Sequence, residues 1–261
     1  MRLIAAVVAA AWAASLEVGP SLPAPPPPPP VARIAALTTG TGVLAPLSPA
    51  SARSWVGLER LLSDDARFER SEVWVYGDSI TVRSARNLAA RVGPELGSNM
   101  AVDAQVAIPT TPATERLLDR LRRTRNRPRV LVFALGTNDV PVTYPGLAPF
   151  NSRPQDVWKD LAAVRRAIGA RTSIVFVEVY ANRRWAPNDT VRRVELANAR
   201  LVNAQARRSR IPDAIVPWYD AMAHDEKRYL LDGVHTTTAG AAYRASVMMP
   251  VLTRQYRTHQ A

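Results

Sequence analysis

From Glu72 onward, short apolar runs alternate with amphipathic ones, and this alternation limits the chain to very few folds. The strand candidates are Val73–Tyr76, Ala101–Val106, Val130–Leu135, Ile174–Val179 and Ala214–Trp218. Between and after them the spacing predicts helices over Val82–Val92, Thr114–Arg123, Pro154–Ile168, Thr190–Arg208 and Thr238 to about Tyr256. Strands that are apolar throughout have no water-facing side, so both faces of their sheet must be covered. Strand–helix alternation supplies that cover and makes the strands parallel. The expected architecture is a three-layer αβα sandwich with a mostly parallel sheet of about five strands. In such sheets, sites form at the carboxyl ends of strands.

Ahead of this region the chain reads as appendages. Met1-Arg2, an apolar run from Leu3 to Ala14 and small residues around Ala11-Trp12-Ala13 have the form of a secretory signal peptide, taken as residues 1–19. An uncleaved membrane anchor is the second reading, although the run is short for a bilayer. Pro25 to Pro30 cannot form helix or sheet, and residues 20–50 read as an extended Pro/Ala-rich linker. Trp55, Val56, Leu58, Leu61, Leu62 and Phe68 fall at roughly helical spacing, so residues 51–71 are expected to be a helix packed on the domain. The catalytic domain is expected over 72–256, with a short tail at 257–261.

The chain carries 34 basic and 22 acidic residues, a net charge of +12, and its only lysines are Lys159 and Lys227. Its densest basic run is Arg120, Arg122, Arg123, Arg125, Arg127 and Arg129. No aromatic residues interleave with it, so specific nucleic-acid binding is not expected. Cations at the end of a helix complement its dipole; attraction to an anionic envelope surface is the alternative. Cysteine is absent, which excludes disulfides, thiolate catalysis and cysteine metal sites. There is neither a phosphate-binding glycine loop nor an HExxH pair, and no cofactor or metal is expected.

Three places carry the residue types that chemistry needs, and each is expected at the edge of the sheet. The first is Gly77-Asp78-Ser79, a turn between a buried strand and a helix. The second is Gly136-Thr137-Asn138-Asp139, directly after Val130–Leu135. The third is Asp232-Gly233-Val234-His235, before the last helix. Of three histidines, His259 lies in the tail and His224 in a polar stretch, whereas His235 stands three residues after Asp232. That spacing lets the carboxylate reach the imidazole within one turn and leaves the other ring nitrogen as a base. A serine needs such a base, since its free hydroxyl is unreactive. Asp78 and Asp139 are expected to tie down their own loops, and Thr81 and Thr137 to act as cap or turn residues. Ser71 and Ser84 have no histidine partner in this pattern. The loops Pro141–Arg153 and Ala181–Trp185 are candidates for walls of a substrate cleft.

These blocks, in this order, resemble those of the SGNH/GDSL hydrolase superfamily, over about residues 72–250. The resemblance implies a flavodoxin-like SGNH hydrolase fold and a carboxylic ester hydrolase that works without a cofactor. It implies Ser79 as nucleophile, His235 as general base and then acid, and Asp232 as the group that orients the imidazole. The oxyanion would be held by the backbone N–H of Ser79, the side-chain amide of Asn138 and one backbone N–H from a further block. Gly77, Asp78, Gly136 and Asp139 would support the loops. That further block normally supplies a glycine, but none occurs between Gly97 and Gly136, and the equivalent position is Ala107. Alanine keeps its N–H, but a positive φ there would be strained. The implied substrates are small-molecule or polysaccharide esters, with short acyl groups favoured because no extended apolar lid segment is visible. Acyl transfer to a carbohydrate or envelope hydroxyl would use the same residues. A non-catalytic surface-binding module of the same fold is the third reading.

Overall fold

The computed structural model describes residues 42–43 and 59–258, except 142–152, 185 and 187. The strands are β1 (Gly42–Val43), β2 (Arg60–Ser63), β3 (Val73–Gly77), β4 (Met100–Gln105), β5 (Val130–Ala134), β6 (Ser173–Val177) and β7 (Ala214–Val216). The helices are α1 (Asp65–Arg70), α2 (Ser79–Leu96), α3 (Thr110–Arg123), α4 (Pro154–Ile168), α5 (Asp189–Ser209), α6 (Trp218–Tyr229) and α7 (Thr238–Thr258).

All strands form one sheet in the order β1-β2-β4-β3-β5-β6-β7. The five strands from β3 to β7 pair in parallel, while β1 and β2 add an antiparallel edge beside β4. Counted along the chain, the parallel part runs 2-1-3-4-5, the flavodoxin-like order. Its order reverses at β3, so the chain leaves β4 and β5 on either side of the strand that ends at Gly77.

Period-two alternation divides the core between the two faces. Trp74, Tyr76, Leu131, Phe133, Ile174 and Phe176 point to one face, against Leu117 and Leu121 of α3, Leu161 and Val164 of α4 and Val202 of α5. Val73, Val75, Val130, Val132, Val175 and Val177 point to the other, against Leu88 and Val92 of α2 and Met248, Met249 and Leu252 of α7. Each such side chain, fully buried, contributes about 1.5–3 kcal/mol. The expected three layers are therefore present.

Three expectations are corrected. The helix expected over 51–71 is, among the described residues, the strand β2 followed by the short helix α1. Tertiary contacts override the helical spacing: Arg60 lies opposite Gln105 on β4 and clamps the buried Asp103 carboxylate with two bonds, at 3.2 and 2.9 Å. Gly42–Val43, within the expected linker, extends the same edge as β1, so the sheet begins before residue 72. Trp218 does not end a strand but opens α6, a helix missing from the sequence reading, and it carries His224. The expected signal peptide, the rest of the linker, residues 51–58 and the tail from 259 lie outside the described residues.

Candidate functional site

Gly77, Ala104 and Ala134 lie side by side on the three central strands. A few residues beyond this row the chain reaches Ser79, Ala107 and Asn138. The loop after α6 brings Asp232 and His235 to the same edge.

Ser79 is the first residue of α2, and Asp78 is its N-cap, accepting from the Ile80 N–H at 3.0 Å. Gly77 is required at this turn, because a Cβ there would lie 2.0 Å from the Thr81 hydroxyl. The first N–H groups of a helix have no partner within it and point toward anything that approaches its N-terminus.

The Ser79 hydroxyl lies 3.0 Å from His235 Nε2, and His235 Nδ1 lies 2.7 Å from Asp232 Oδ2. An ionised carboxylate only accepts, so Nδ1 carries the proton and Nε2 faces the serine as an acceptor. The other Asp232 oxygen accepts from the N–H groups of Val234 (3.0 Å) and His235 (2.8 Å), which closes the turn on itself. Burial pushes the Asp232 carboxyl up, but the bond from the His235 ring, the positive charge that ring carries when protonated and the two backbone donors outweigh it. The net effect holds the carboxyl well below its ordinary range. Val234 is buried and anchors the turn in the core. The His235 side chain remains 28% exposed and Asp232 30%, so the chain of bonds opens to solvent at this end.

Ala107 stands at φ +58°, in the left-handed region that favours glycine. The next residues are tied across to the neighbouring loop. Asn138 Nδ2 donates to the Ile108 carbonyl at 3.0 Å, which leaves its second amide hydrogen for another acceptor. Asp139 accepts from the Thr110 N–H (3.2 and 3.1 Å) and its hydroxyl (2.6 Å). Pro109 precedes α3 and has no side-chain cap to offer, so Asp139 caps that helix from the adjoining strand end. The Asp139 side chain, expected to tie down its own loop, bonds across to Thr110 at the start of α3, while its backbone N–H donates to the Gly136 carbonyl at 3.1 Å. Asp78 accepts from the Ile80 N–H within its own turn and also interacts with Thr137 of the second loop.

The segment Asn182–Arg184 behaves differently from the expected cleft wall. The N–H of Asn182 donates to the Gly233 carbonyl (3.0 Å) and that of Arg184 to the Asp232 carbonyl (2.9 Å). Between them Arg183, 4% exposed, donates from Nη2 to the Thr137 carbonyl at 2.9 Å and pairs with the fully buried Glu195 at 3.4 Å. One short segment therefore braces both the Asp232–His235 turn and the Asn138 loop. Nothing in the sequence signals this, because an Asn-Arg-Arg stretch after a strand looks like a solvated loop. Trp185 and most of the 141–153 loop lie outside the described residues.

A second missed residue is Arg244 of α7, 3% exposed behind the serine helix. It donates to the Ser84 hydroxyl at 3.1 Å, and Ser84 in turn donates to the Ile80 carbonyl at 2.8 Å. Burial lowers the Arg244 pKa to about 10, against the opposing pull of Asp78. Burial likewise pushes the Asp78 carboxyl up, and Arg244 opposes that. Each charge thus offsets part of the other's desolvation. His224 is exposed on α6, its Nδ1 2.9 Å from the Asp220 carbonyl. Among the described residues, no group of three or more His, Asp or Glu side chains is placed to hold a metal ion.

The arrangement offers a hydroxyl, a base that can take its proton, a carboxylate that holds the base, and N–H donors nearby. A family model described as GDSL-like lipase/acylhydrolase matches residues 75–243. No curated protein matches the chain in sequence. Among solved structures, the catalytic domain of Streptococcus pneumoniae peptidoglycan O-acetyltransferase A is similar, at 18% identity and a TM-score of 0.51 over 71% of this chain and 94% of that one. An acetyl xylan esterase variant from Geobacillus stearothermophilus gives 14% identity and 0.53, over 71% and 94%. A GDSL-like lipase from Parabacteroides merdae gives 17% and 0.53, over 72% and 97%. At these identities the likeness is one of fold.

Proposed function

Because the chain belongs to the GDSL-like lipase/acylhydrolase family, we propose that it is a serine hydrolase of carboxylic esters, acting on short acyl groups and on acetyl groups foremost. The observation that carries this reading is the continuous chain of bonds from Ser79 through His235 to Asp232, at 3.0 and 2.7 Å.

In the proposed reaction Ser79 Oγ attacks the ester carbonyl as His235 Nε2 takes its proton. Asp232 stabilises the resulting imidazolium without taking a proton from it. The oxyanion receives the backbone N–H groups of Ser79 and Ala107 and the unused amide hydrogen of Asn138. Loss of one such donor typically costs about 2.7–4 kcal/mol of transition-state stabilisation. The imidazolium then protonates the leaving alcohol, and the acyl group stays on Ser79. Water, deprotonated by His235, releases the acid and restores the serine.

The same acyl-enzyme would serve transfer to a sugar hydroxyl. The exposed His235 end is open to an acceptor from solvent, and the similar structures include both an O-acetyltransferase and an acetyl esterase by name. Hydrolysis is the primary reading because it needs no acceptor subsite. A binding-only module has no use for a serine, histidine and aspartate in bonding register. We further propose export through the signal-peptide-like run Leu3–Ala14, with an uncleaved N-terminal anchor as the alternative.

The test is turnover of nitrophenyl acetate and of an acetylated polysaccharide by wild type and Ser79→Ala, with and without a sugar acceptor. Acetate release that is lost in Ser79→Ala supports the proposal. Acetylated acceptor formed in place of acetate would move the assignment to transfer. Equal turnover by both proteins would refute the role of Ser79.

A further inference from the structure

We infer that the edge of the sheet opposite Ser79 carries a binding pocket for an anionic polymer, built from Arg125, Arg127 and Arg171. The loops that enter β5 and β6 lie side by side there, because those strands are neighbours. Between them is a cavity of about 670 Å³, lined by these three arginines with Arg129, Gly169 and Thr172. Five residues of strand separate it from the catalytic edge, a distance of about 15–20 Å. It is therefore no extension of the ester site.

The ordinary explanation for such arginines is that they complement helix ends. Both α3 and α4 terminate at this edge, and each dipole is worth about 0.3–1 kcal/mol to a cation. That need is already met. Arg165 donates to the carbonyls of Gly169 (3.0 Å) and Thr172 (2.9 Å), and one nitrogen of Arg127 donates to the Thr124 carbonyl at 2.8 Å. Arg122 and Arg123 are paired with Asp119.

The local carboxylates are also engaged elsewhere. Glu72 pairs with Arg129 at 2.7 Å, Asp213 with Arg165, and Glu69 accepts the backbone N–H groups of Arg125 (2.8 Å) and Asn126 (3.1 Å). Among the described residues, no carboxylate forms an ion pair with the side chain of Arg125, Arg127 or Arg171. All three are exposed. Guanidinium groups that share a cavity repel one another, and a bound oxyanion removes that repulsion while using their forked donors.

The cavity is larger than a lone phosphate needs, and its three cations are spread over two loops. A chain of repeated phosphate or carboxylate groups meets all of them at once, and it releases counterions as it binds. Seated there, the polymer would hold the protein with Ser79 turned away from it. The pocket thus serves attachment, and the ester site stays open to its own substrate.

The test measures binding of sodium polyphosphate and of polyglutamate to the full chain across a salt series. Three proteins are compared: wild type, R125Q/R127Q/R171Q, and the charge-matched control R86Q/R193Q/R208Q, whose substitutions are exposed and lie on other elements. Wild type and control should bind alike. The pocket variant should bind at least tenfold more weakly, with a log–log salt slope smaller by about two to three. Turnover of nitrophenyl acetate should be the same in all three. Arg171→Glu alone, in an exposed turn, should weaken binding in the same direction if the triple variant folds poorly. Binding of polyphosphate only would assign the pocket to phosphate, and binding of both to oxyanions in general; either supports it. Equal loss in the two triple variants would overturn the pocket in favour of diffuse charge, as would no binding by wild type.

Discussion

The side-chain amide of Asn138 donates to the carbonyl of Ile108 at 3.0 Å, so the candidate side-chain oxyanion donor is tied to the residue that follows Ala107. The two donors contributed by separate loops are thereby set relative to each other. This tie, with the Asp139–Thr110 clamp, holds an alanine at φ +58°.

That strain can be measured with Ala107→Gly. A left-handed alanine costs about 1–2 kcal/mol, while glycine adds about 0.4–1 kcal/mol of unfolded-state entropy to be lost. The strain equals or exceeds the entropy, so thermal denaturation should show a change between zero and about 1.6 kcal/mol, in the stabilising direction. Ester turnover should be equal or a few-fold higher. A large loss of turnover would show that the methyl group itself is part of the site.

Arg183 and Glu195 form a buried ion pair, and removing one partner leaves the other uncompensated. Arg183→Met should lower stability by about 3–5 kcal/mol. The double variant Arg183→Met with Glu195→Leu should recover most of that stability, since well-packed apolar residues can replace a buried pair. Turnover should not recover with it, because the Thr137 carbonyl beside Asn138 still lacks its donor. Chemical denaturation and kcat, measured on the same preparations, separate the two effects.

Gly233 sits at φ +86°, and a Cβ there would lie 1.9 Å from the Asn182 carbonyl oxygen. Gly233→Ala must therefore move the Asp232–His235 turn away from its brace. A displacement of about 1 Å at a catalytic group can cost about 100-fold in rate. The expected result is a loss of that order in kcat, with KM for a small ester changed far less.

Asp232 links the site to pH. Its folded-state pKa is depressed, because the His235 ring and two backbone donors outweigh the effect of burial. Its contribution to stability is fully present above the unfolded value near 3.9 and is lost as pH falls through the lower folded value. The difference in unfolding free energy between wild type and Asp232→Asn should shrink as pH is lowered below about 4. At neutral pH the same variant should lose about 10³–10⁴-fold in kcat, as expected when the imidazole is no longer held in the right tautomer.

Much of this was legible in the sequence for a physical reason. Strands covered on both faces must be apolar throughout, so Val73–Gly77 and Val130–Ala134 announced themselves. The three polar blocks stood out because each followed a run of that kind or preceded the last helix. β2 was not legible: Arg60–Ser63 is a short edge strand held by Arg60 on Asp103, a partner more than 40 positions away. Neither were Arg183 and Arg244, since a buried arginine differs from a solvated one only in its tertiary partners. The Asp139 clamp was missed because its acceptor serves a helix that begins in another loop.

The most direct test of the account is the site at which a fluorophosphonate ester probe reacts with the full-length protein. Intact-mass measurement should show one adduct on wild type, and peptide mapping should place it on Ser79. The adduct should be absent in Ser79→Ala and strongly slowed in His235→Ala. An adduct that persists in Ser79→Ala, or an unlabelled wild type that turns over no ester, would contradict the assignment of Ser79, His235 and Asp232 as the reacting centre.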